Sequence, residues 1–115
     1  MASTKQVRTH LRLLRWAQSS KCAGCGEHVP SASKLKRHHP DYPTFDHVIP
    51  RCYGGGRTIG NGLLKHQRCN QARGDAPPSK ADLETLKRVT ERLKAVPPEV
   101  RSPPPPRAPA AKAAD

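Results

Sequence analysis

The most constraining feature of this 115-residue sequence is a repeated spacing of metal-ligand residues. Cys22 and Cys25 are separated by two residues, and His66 and Cys69 have the same spacing further along the chain. Two thiolates at this spacing reach one tetrahedral ion from a tight turn, and Gly24 allows the backbone to bend there. The sequence therefore predicts a Cys3His zinc knuckle that joins two distant segments of the chain.

A second cysteine arrangement stays open. Cys52 lies beside a glycine-rich loop without a ligand partner at short spacing, so we interpret it as a free thiol that is an alternative to His66 as fourth ligand.

The interpretation that competes with a zinc site is that Cys22 and Cys25 are buried thiols and His66 is a surface residue. Only 34% of the residues are hydrophobic, and domains with so small a core usually need a metal or disulfides. Four protein ligands leave no position for water, so this zinc is predicted to be structural.

The charge of the chain predicts a polyanionic partner. Lys and Arg total 21 against nine acidic residues, which gives a net charge of +12. Basic side chains near phosphates release counterions, so nucleic acid satisfies this excess, as does an anionic membrane. A membrane is disfavoured because no apolar run approaches a spanning length and the start does not resemble a signal peptide. We therefore expect a cytoplasmic protein with reduced cysteines. Charge alone suits a ribosomal or chromatin-like protein equally well.

Hydrophobic periodicity and turn residues predict an α+β domain at residues 1–96, with its core motif at 20–76. The predicted elements are a helix at 4–18, strands at 44–49 and 63–65, a helix at 67–73 ended by Gly74, and a helix at 80–95 capped by Ser79. Residues 97–115 are rich in Pro and Ala, and we expect them to form a disordered tail.

The first predicted helix has an apolar stripe and a basic remainder. Val7, Leu11 and Leu14 recur at helical spacing and predict the face that packs on the core. The basic side is either a solvated surface or a contact with the DNA backbone. Its candidate DNA-binding residues are Arg8, Arg12 and Arg15.

Three further polar residues suit phosphodiester hydrolysis. Such hydrolysis needs a base for water and a cation for the charged oxygens. His47 suits the first task because histidine titrates near neutral pH, and the oxygens of Asp46 and Asn70 suit Mg2+ or Mn2+. Adjacent strand residues point to opposite faces, so Asp46 and His47 are expected where the strand frays or bulges.

The combination of these motifs resembles the HNH endonuclease family. The resemblance rests on Asp46-His47-Val48-Ile49-Pro50, the glycines at 54–56, Asn61, the Cys69-Asn70 pair and the basic residue before Gly74. With the upstream Cys pair and the basic helix, it covers roughly residues 4–76. The sequence is most similar to small single-domain HNH proteins of bacteria and phages. The resemblance implies the ββα-metal fold, in which a catalytic metal lies between the first strand and the helix.

The resemblance implies a role for each matching residue. His47 corresponds to the general base, and Asp46 to the metal-binding acid. Asn61 corresponds to the central Asn that braces the loop and orients the base, and Asn70 to a second metal ligand. The matching zinc ligands are Cys22, Cys25 and Cys69.

Two positions depart from the family pattern. His66 stands where zinc-bearing members usually have Cys, and imidazole is an acceptable replacement. Gly62 replaces the usual Leu after the central Asn, which removes a packing side chain and is expected to loosen the hairpin. Neither residue is part of the reaction centre, so we expect activity.

Basic residues near this motif are candidates for phosphate contacts, with solvated charge as the alternative. They are Arg51, Arg68 and Arg73. We favour phosphate contact for Arg68 and Arg73, since the predicted helix that carries them also carries Asn70.

The resulting hypothesis is metal-dependent hydrolysis of double-stranded DNA that leaves 3′-OH and 5′-phosphate ends, as in the family. The alternative is a non-catalytic, zinc-dependent nucleic-acid-binding module, which has no need for the Asp46, His47 and Asn70 set. The sequence shows no recognition helix for the major groove, so we expect little base specificity. By analogy, the resemblance implies phage genome processing or packaging in a bacterial or phage-infected cell, with a terminase or other DNA-processing partner.

Overall fold

The computed structural model describes residues 4–50, 52, 54–56 and 58–101. In chain order its elements are α1 (Thr4–Ala17), β1 (Pro43–His47), β2 (Gly62–His66), α2 (Gln67–Arg73), α3 (Lys80–Leu93) and α4 (Pro98–Arg101), with 3-10 turns at Ala32–Lys34 and Ile59–Asn61. Within these residues, no helix has both the length and the apolar character needed to cross a membrane. The predicted α+β class, with two strands followed directly by a helix, is confirmed.

Helix α1 covers one side of the small core. Leu14 is fully buried and Ala17 nearly so, while Leu11 packs against the same core from the helix surface. This is the face predicted by the apolar stripe. Helix α3 packs beside α1. Its Val89 is buried in the core, and its Arg92 guanidinium lies 4.8 Å from the centre of the Trp16 ring on α1.

The two strands form a regular antiparallel hairpin. Asp46 lies opposite Leu63, and His47, the last residue of β1, lies opposite Gly62. Our expectation of a bulge or a frayed strand at Asp46 and His47 is therefore wrong. The ladder stays regular, and because β1 ends at His47 both neighbouring side chains still reach one cleft at the end of the strand.

Gly62 permits a close approach between the strands. A Cβ atom built at this glycine would lie 2.0 Å from Cζ of Phe45, which is far inside van der Waals contact. The Phe45 ring therefore occupies the space in which a larger residue at position 62 would pack. Gly62 is a position of tight packing, and the loosening of the hairpin that we expected from it is not seen.

Local signals set the ends of the next two helices. Helix α2 ends where Gly74 adopts a positive φ of 60°. Helix α3 begins with a capping box: Ser79 Oγ accepts a hydrogen bond from the Asp82 N–H, and the Asp82 carboxylate accepts one from the Ser79 N–H, each at 3.0 Å. It ends at Leu93, two residues before the predicted end.

A short knuckle follows α1 and packs against β2. Residues Lys21 and His28 form an isolated antiparallel bridge, and the Cys22 N–H donates to the Glu27 carbonyl at 2.8 Å. The Ala23 N–H donates to the carbonyl of a β2 residue at 3.0 Å. These backbone bonds place the first cysteine pair next to the end of β2, where the second ligand pair begins.

The described chain continues into the predicted tail. Residues Pro98–Arg101 form a helical turn against α1. Arg12 donates hydrogen bonds to the carbonyls of Val100 at 2.7 Å and Arg101 at 3.2 Å. The expectation of disorder from residue 97 is therefore corrected for these four residues, two of which accept hydrogen bonds from the half-buried Arg12. The remainder of the predicted tail lies outside the described residues.

Candidate metal centre and active site

The four predicted zinc ligands come together. The ligand atoms of Cys22, Cys25, His66 and Cys69 all lie within 4.8 Å of one another. Three thiolates and one imidazole are a tetrahedral donor set typical of structural zinc. The grouping follows from the backbone bonds between the knuckle and β2, and from the direct passage of β2 into α2.

The orientation of His66 fits a metal ligand. Its Nδ1 lies 3.4 Å from the Sγ of Cys25 and 4.0 Å from the Sγ of Cys69. Its Nε2 lies 2.8 Å from the His28 carbonyl oxygen, an acceptor that requires the proton on Nε2. The imidazole is thereby held as the tautomer with Nδ1 directed at the thiols, the arrangement in which the second nitrogen of a metal-bound histidine is hydrogen-bonded.

The thiols also fit a bound cation electrostatically. Burial by itself raises the pKa of Cys22, but hydrogen bonds from backbone N–H groups, among them those of His66 and Gly24, outweigh it and lower the pKa to about 6. Burial, together with interactions with Cys22 and Cys25, raises the pKa of Cys69 to about 12. Several thiolates crowded together repel one another, and a divalent cation relieves that repulsion.

Cys52 does not belong to this group. It is exposed and lines a different cleft, and the described metal-ligand cluster contains His66 as its fourth member. The interpretation of Cys52 as a free thiol therefore agrees with the structure, and its alternative as fourth ligand does not.

That second cleft contains the predicted hydrolytic residues. It has a volume of about 510 Å3 and lies between the end of β1 and the end of α2. Asp46, His47 and Asn70 all contribute to its walls. The structure thus brings together three side chains that the sequence separates by up to 24 positions.

His47 lies at the end of the hairpin where the loop after β1 begins. As the last residue of β1 it lies beside the Phe45 ring, with an edge-to-face contact at 5.0 Å between ring centres. Phe45 in turn contacts the His10 ring of α1 at 5.6 Å. The aromatic contact orients His47, which lines the cleft together with Phe45.

Asp46 is engaged by two cations. One carboxylate oxygen lies 2.8 Å from Nη1 of Arg73, and the other lies 2.9 Å from Nζ of Lys65. The side chains of all three residues are less than 10% exposed. The predicted metal-binding acid therefore already has its charge balanced within the protein.

The central Asn61 makes three hydrogen bonds to the loop after β1. Its Oδ1 accepts from the Ile49 N–H at 2.9 Å, and its Nδ2 donates to the carbonyls of Ile49 at 3.1 Å and Gly56 at 2.8 Å. Asn61 is buried, so these bonds are shielded from water. This geometry is the loop bracing that the resemblance implies for this residue.

Asn70 is tied to the same hairpin. Its Nδ2 donates to Oγ1 of Thr44 at 3.2 Å. This hydrogen bond commits the amide nitrogen and leaves the amide oxygen as the atom suited to a metal ion.

The predicted DNA-binding arginines fall into different environments. Arg8 is exposed on α1. Arg68 is also exposed, and its Nε pairs with the carboxylate of Asp41 at 2.8 Å, a hydrogen bond that lowers the pKa of that acid. Arg51 lies outside the described residues. Phosphate contact by these three arginines stays a prediction.

The other three arginines donate to carbonyls of the protein's own backbone, and phosphate contact by them also stays a prediction. Arg12 binds the two α4 carbonyls described above, and Arg15 donates to the carbonyls of Val29 at 2.5 Å and Pro30 at 3.0 Å. Arg73 donates to the carbonyls of His47, Val48 and Ala76 besides its ion pair. These donors are committed inside the molecule.

Sequence reasoning missed Lys65 and Asp82. Lys65 is 3% exposed, and its ammonium also lies 3.9 Å from the Asp82 carboxylate at the start of α3. Asp82 Oδ2 lies 3.7 Å from Nε of Arg73. The sequence gives no sign of this burial, because the two acids beside the Lys65 ammonium come from the paired strand β1 and from the later helix α3.

A protein-family model matches the segment of the chain that contains this site. Residues 22–76 match the family model described as HNH endonuclease. A comparison with curated proteins gave no match. The matched segment contains all four zinc-ligand residues, both strands, helix α2 and the residues of the candidate cleft. Residues 22–76 of the chain are therefore similar to the HNH endonuclease family.

Proposed function

We propose that the protein is a metal-dependent endonuclease that hydrolyses phosphodiester bonds in double-stranded DNA. The observation that carries this proposal is the cleft of about 510 Å3 lined by His47, Asp46 and Asn70. The family match and the net charge of +12 support a nucleic-acid substrate. Zinc held by the Cys3His group supports the fold around this cleft, because a four-ligand site has no open position for substrate.

His47 is the general base of the proposed reaction. Its imidazole accepts a proton from a water molecule, and the resulting hydroxide attacks phosphorus. The P–O3′ bond breaks as the new P–O bond forms, and O3′ takes up a proton from solvent, which leaves 3′-OH and 5′-phosphate ends. Asn61 keeps the following loop in place, so that His47 keeps its orientation in the cleft.

Asp46 and Asn70 are the residues that would hold a divalent ion, Mg2+ or Mn2+. Both line the cleft, and carboxylate and amide oxygens are the donors that these hard cations prefer. The ion supplies charge stabilisation for the oxygens of the scissile phosphate. Lys65 and Arg73 already neutralise Asp46, so these residues fit a cation site of reduced negative charge.

A second candidate function is a non-catalytic, zinc-dependent nucleic-acid-binding module. The ion pairs of Asp46 with two buried cations favour it, since they already offset the charge of the carboxylate. The intact cleft favours the enzyme, because a binding module has no need for His47 beside Asp46 and Asn70. A role in phage genome processing, with a terminase as partner, stays a prediction from the resemblance alone.

Incubation with supercoiled plasmid tests the proposal. The zinc-loaded full chain is expected to convert the plasmid to nicked or linear forms with Mg2+ or Mn2+ and to lose this activity with EDTA under conditions that retain zinc. His47→Ala is expected to lower the cleavage rate by at least about a hundredfold, the usual contribution of a general base.

The matched control is His39→Ala, an exposed histidine outside the cleft. It is expected to cut like the wild type. His47→Ala is expected to keep zinc and DNA affinity, because neither depends on this imidazole in the proposal. Cleavage by His47→Ala at the wild-type rate contradicts the assignment of the base, and a wild-type chain that binds DNA without cutting it favours the binding module.

A further inference from the structure

Lys65 is an uncommon residue for a buried strand position. Its side chain is 4% exposed, and its Nζ lies 2.9 Å from Oδ2 of Asp46. Burial of an ammonium group is costly unless an acid compensates it. Here the compensating acid is the residue whose carboxylate the proposed reaction assigns to a metal ion.

Four buried or half-buried charges form one group around this carboxylate. Lys65 and Arg73 each contact Asp46 and each approach Asp82, at 3.9 and 3.7 Å. Two positive and two negative charges make the group neutral in total. A divalent cation that enters beside Asp46 therefore meets a carboxylate whose field two cations already oppose.

We propose that Lys65 is a positioning residue that lowers the affinity of the candidate cleft for divalent cations by sharing the Asp46 carboxylate. The inference rests on the proposed function, since it takes Asp46 as the metal-binding acid. The protein then responds only to divalent ion concentrations high enough to compete with its own ammonium group. Asp82 opposes this effect, because it draws part of the Lys65 charge toward α3.

Lys65 separates this effect from folding better than Arg73 does. Arg73 donates to the carbonyls of His47, Val48 and Ala76, so its removal breaks the connection between α2 and β1. The described contacts of the Lys65 ammonium are the two carboxylates. Lys65→Met keeps the length and the apolar stem while it removes the charge, and Arg73 remains on Asp46.

Direct Mn2+ binding tests the proposal without any cleavage. Free Mn2+ is measured by electron paramagnetic resonance in titrations of the zinc-loaded full chain, with no DNA present. Lys65→Met is expected to lower the Mn2+ dissociation constant by about tenfold or more, the change that one unit charge near a divalent ion causes even in a water-like dielectric. Lys65→Arg, which keeps the charge, is expected to stay near the wild type.

A second variant moves the affinity in the opposite direction. Asp82→Asn removes the competing acid, so Mn2+ binding is expected to weaken several-fold. Asn keeps a polar side chain at the start of α3. This variant also tests the proposal if Lys65→Met fails to retain zinc or to unfold cooperatively. Lys94→Met is the matched control, because Lys94 is an exposed lysine paired with Glu91 at 3.1 Å, and it is expected to leave the constant unchanged.

The outcomes distinguish this inference from the proposed function. If Asp46→Asn abolishes Mn2+ binding while folded Lys65→Met binds no more tightly than the wild type, the role of Lys65 is wrong and the metal site stands. If Asp46→Asn binds Mn2+ as the wild type does, the assignment of Asp46 itself is wrong, and the inference falls with it.

Discussion

Gly62 and Phe45 show how one residue sets the packing of the hairpin. The Phe45 ring lies where a side chain at position 62 would begin, with 2.0 Å between Cζ and an added Cβ. Neighbouring side chains give way only where they are flexible, and Phe45 is confined by the rings of His10 and His47. The same ring that fills the space above Gly62 also orients the proposed general base.

Gly62→Leu is therefore expected to destabilise the protein, although Leu is the usual residue at this point of the family pattern. Overpacking of this kind costs about 1–3 kcal/mol. Urea unfolding of the zinc-loaded chain measures it. In the double variant with Phe45→Ala, the ring is gone, and a large part of the loss is expected to return. A double variant that is no more stable than Gly62→Leu contradicts the contact.

Single-residue patterns predicted the composition of the site but not its charge balance. The Asp46, His47 and Asn70 set and the four zinc ligands follow from motif spacing, and the structure groups each set. The pairing of Asp46 with Lys65 depends on burial under α3, which no local pattern encodes. Likewise the sequence shows Arg73 as a basic residue near the motif, while only the fold shows that it binds backbone carbonyls.

At the scale of elements, periodicity and capping residues predicted most boundaries. Helix α2 has the bounds expected, and Ser79 caps α3 as expected. The turn at Pro98–Arg101 was missed because proline-rich composition outweighed a local signal, namely Pro at the first helical position and Glu99 in the first turn. The turn is held by a hydrogen bond from Arg12 to Val100. These residues lie 88 positions apart in the sequence, so no local pattern predicts the contact.

The zinc group draws its ligands from three parts of the chain. The knuckle supplies Cys22 and Cys25, the end of β2 supplies His66, and α2 supplies Cys69. Cys22→Ser or Cys69→Ser is expected to unfold the domain, because binding energy at a four-ligand zinc site contributes directly to folding. Thermal melting and the zinc content of the purified variants measure this.

Cys52→Ser is the matched control, since Cys52 is exposed and lies outside the zinc group. It is expected to melt with the wild type and to keep its zinc. His66→Cys is expected to retain zinc as well, because four thiolates form an equally suitable donor set. If Cys22→Ser melts at the wild-type temperature, zinc does not support the fold.

At the scale of the whole molecule, the net charge of +12 comes from basic residues that make different kinds of contact. Arg12, Arg15 and Arg73 donate to carbonyls of the protein. A carbonyl acceptor leaves the charge of Arg12 and Arg15 in place, so these two still contribute to the long-range attraction of DNA. The charge of Arg73 is offset by its ion pair with Asp46. We therefore expect direct phosphate contact from exposed basic residues such as Arg8 and Arg68.

Charge reversal at Arg8 tests the DNA surface more cleanly than reversal at Arg12 or Arg15. Reversal at either of those two also breaks bonds to α4 or to the segment after the knuckle. Arg8→Glu is expected to lower DNA affinity and to flatten the dependence of log K on log salt by roughly one unit, the share of one phosphate contact. Binding isotherms at several salt concentrations, in a His47→Ala background that prevents cleavage, measure both quantities.

Deletion of residues 102–115 is the control, because this segment carries one Arg, one Lys and one Asp and adds little net charge. A deletion that costs more affinity than Arg8→Glu assigns the DNA-binding surface to the other end of the chain.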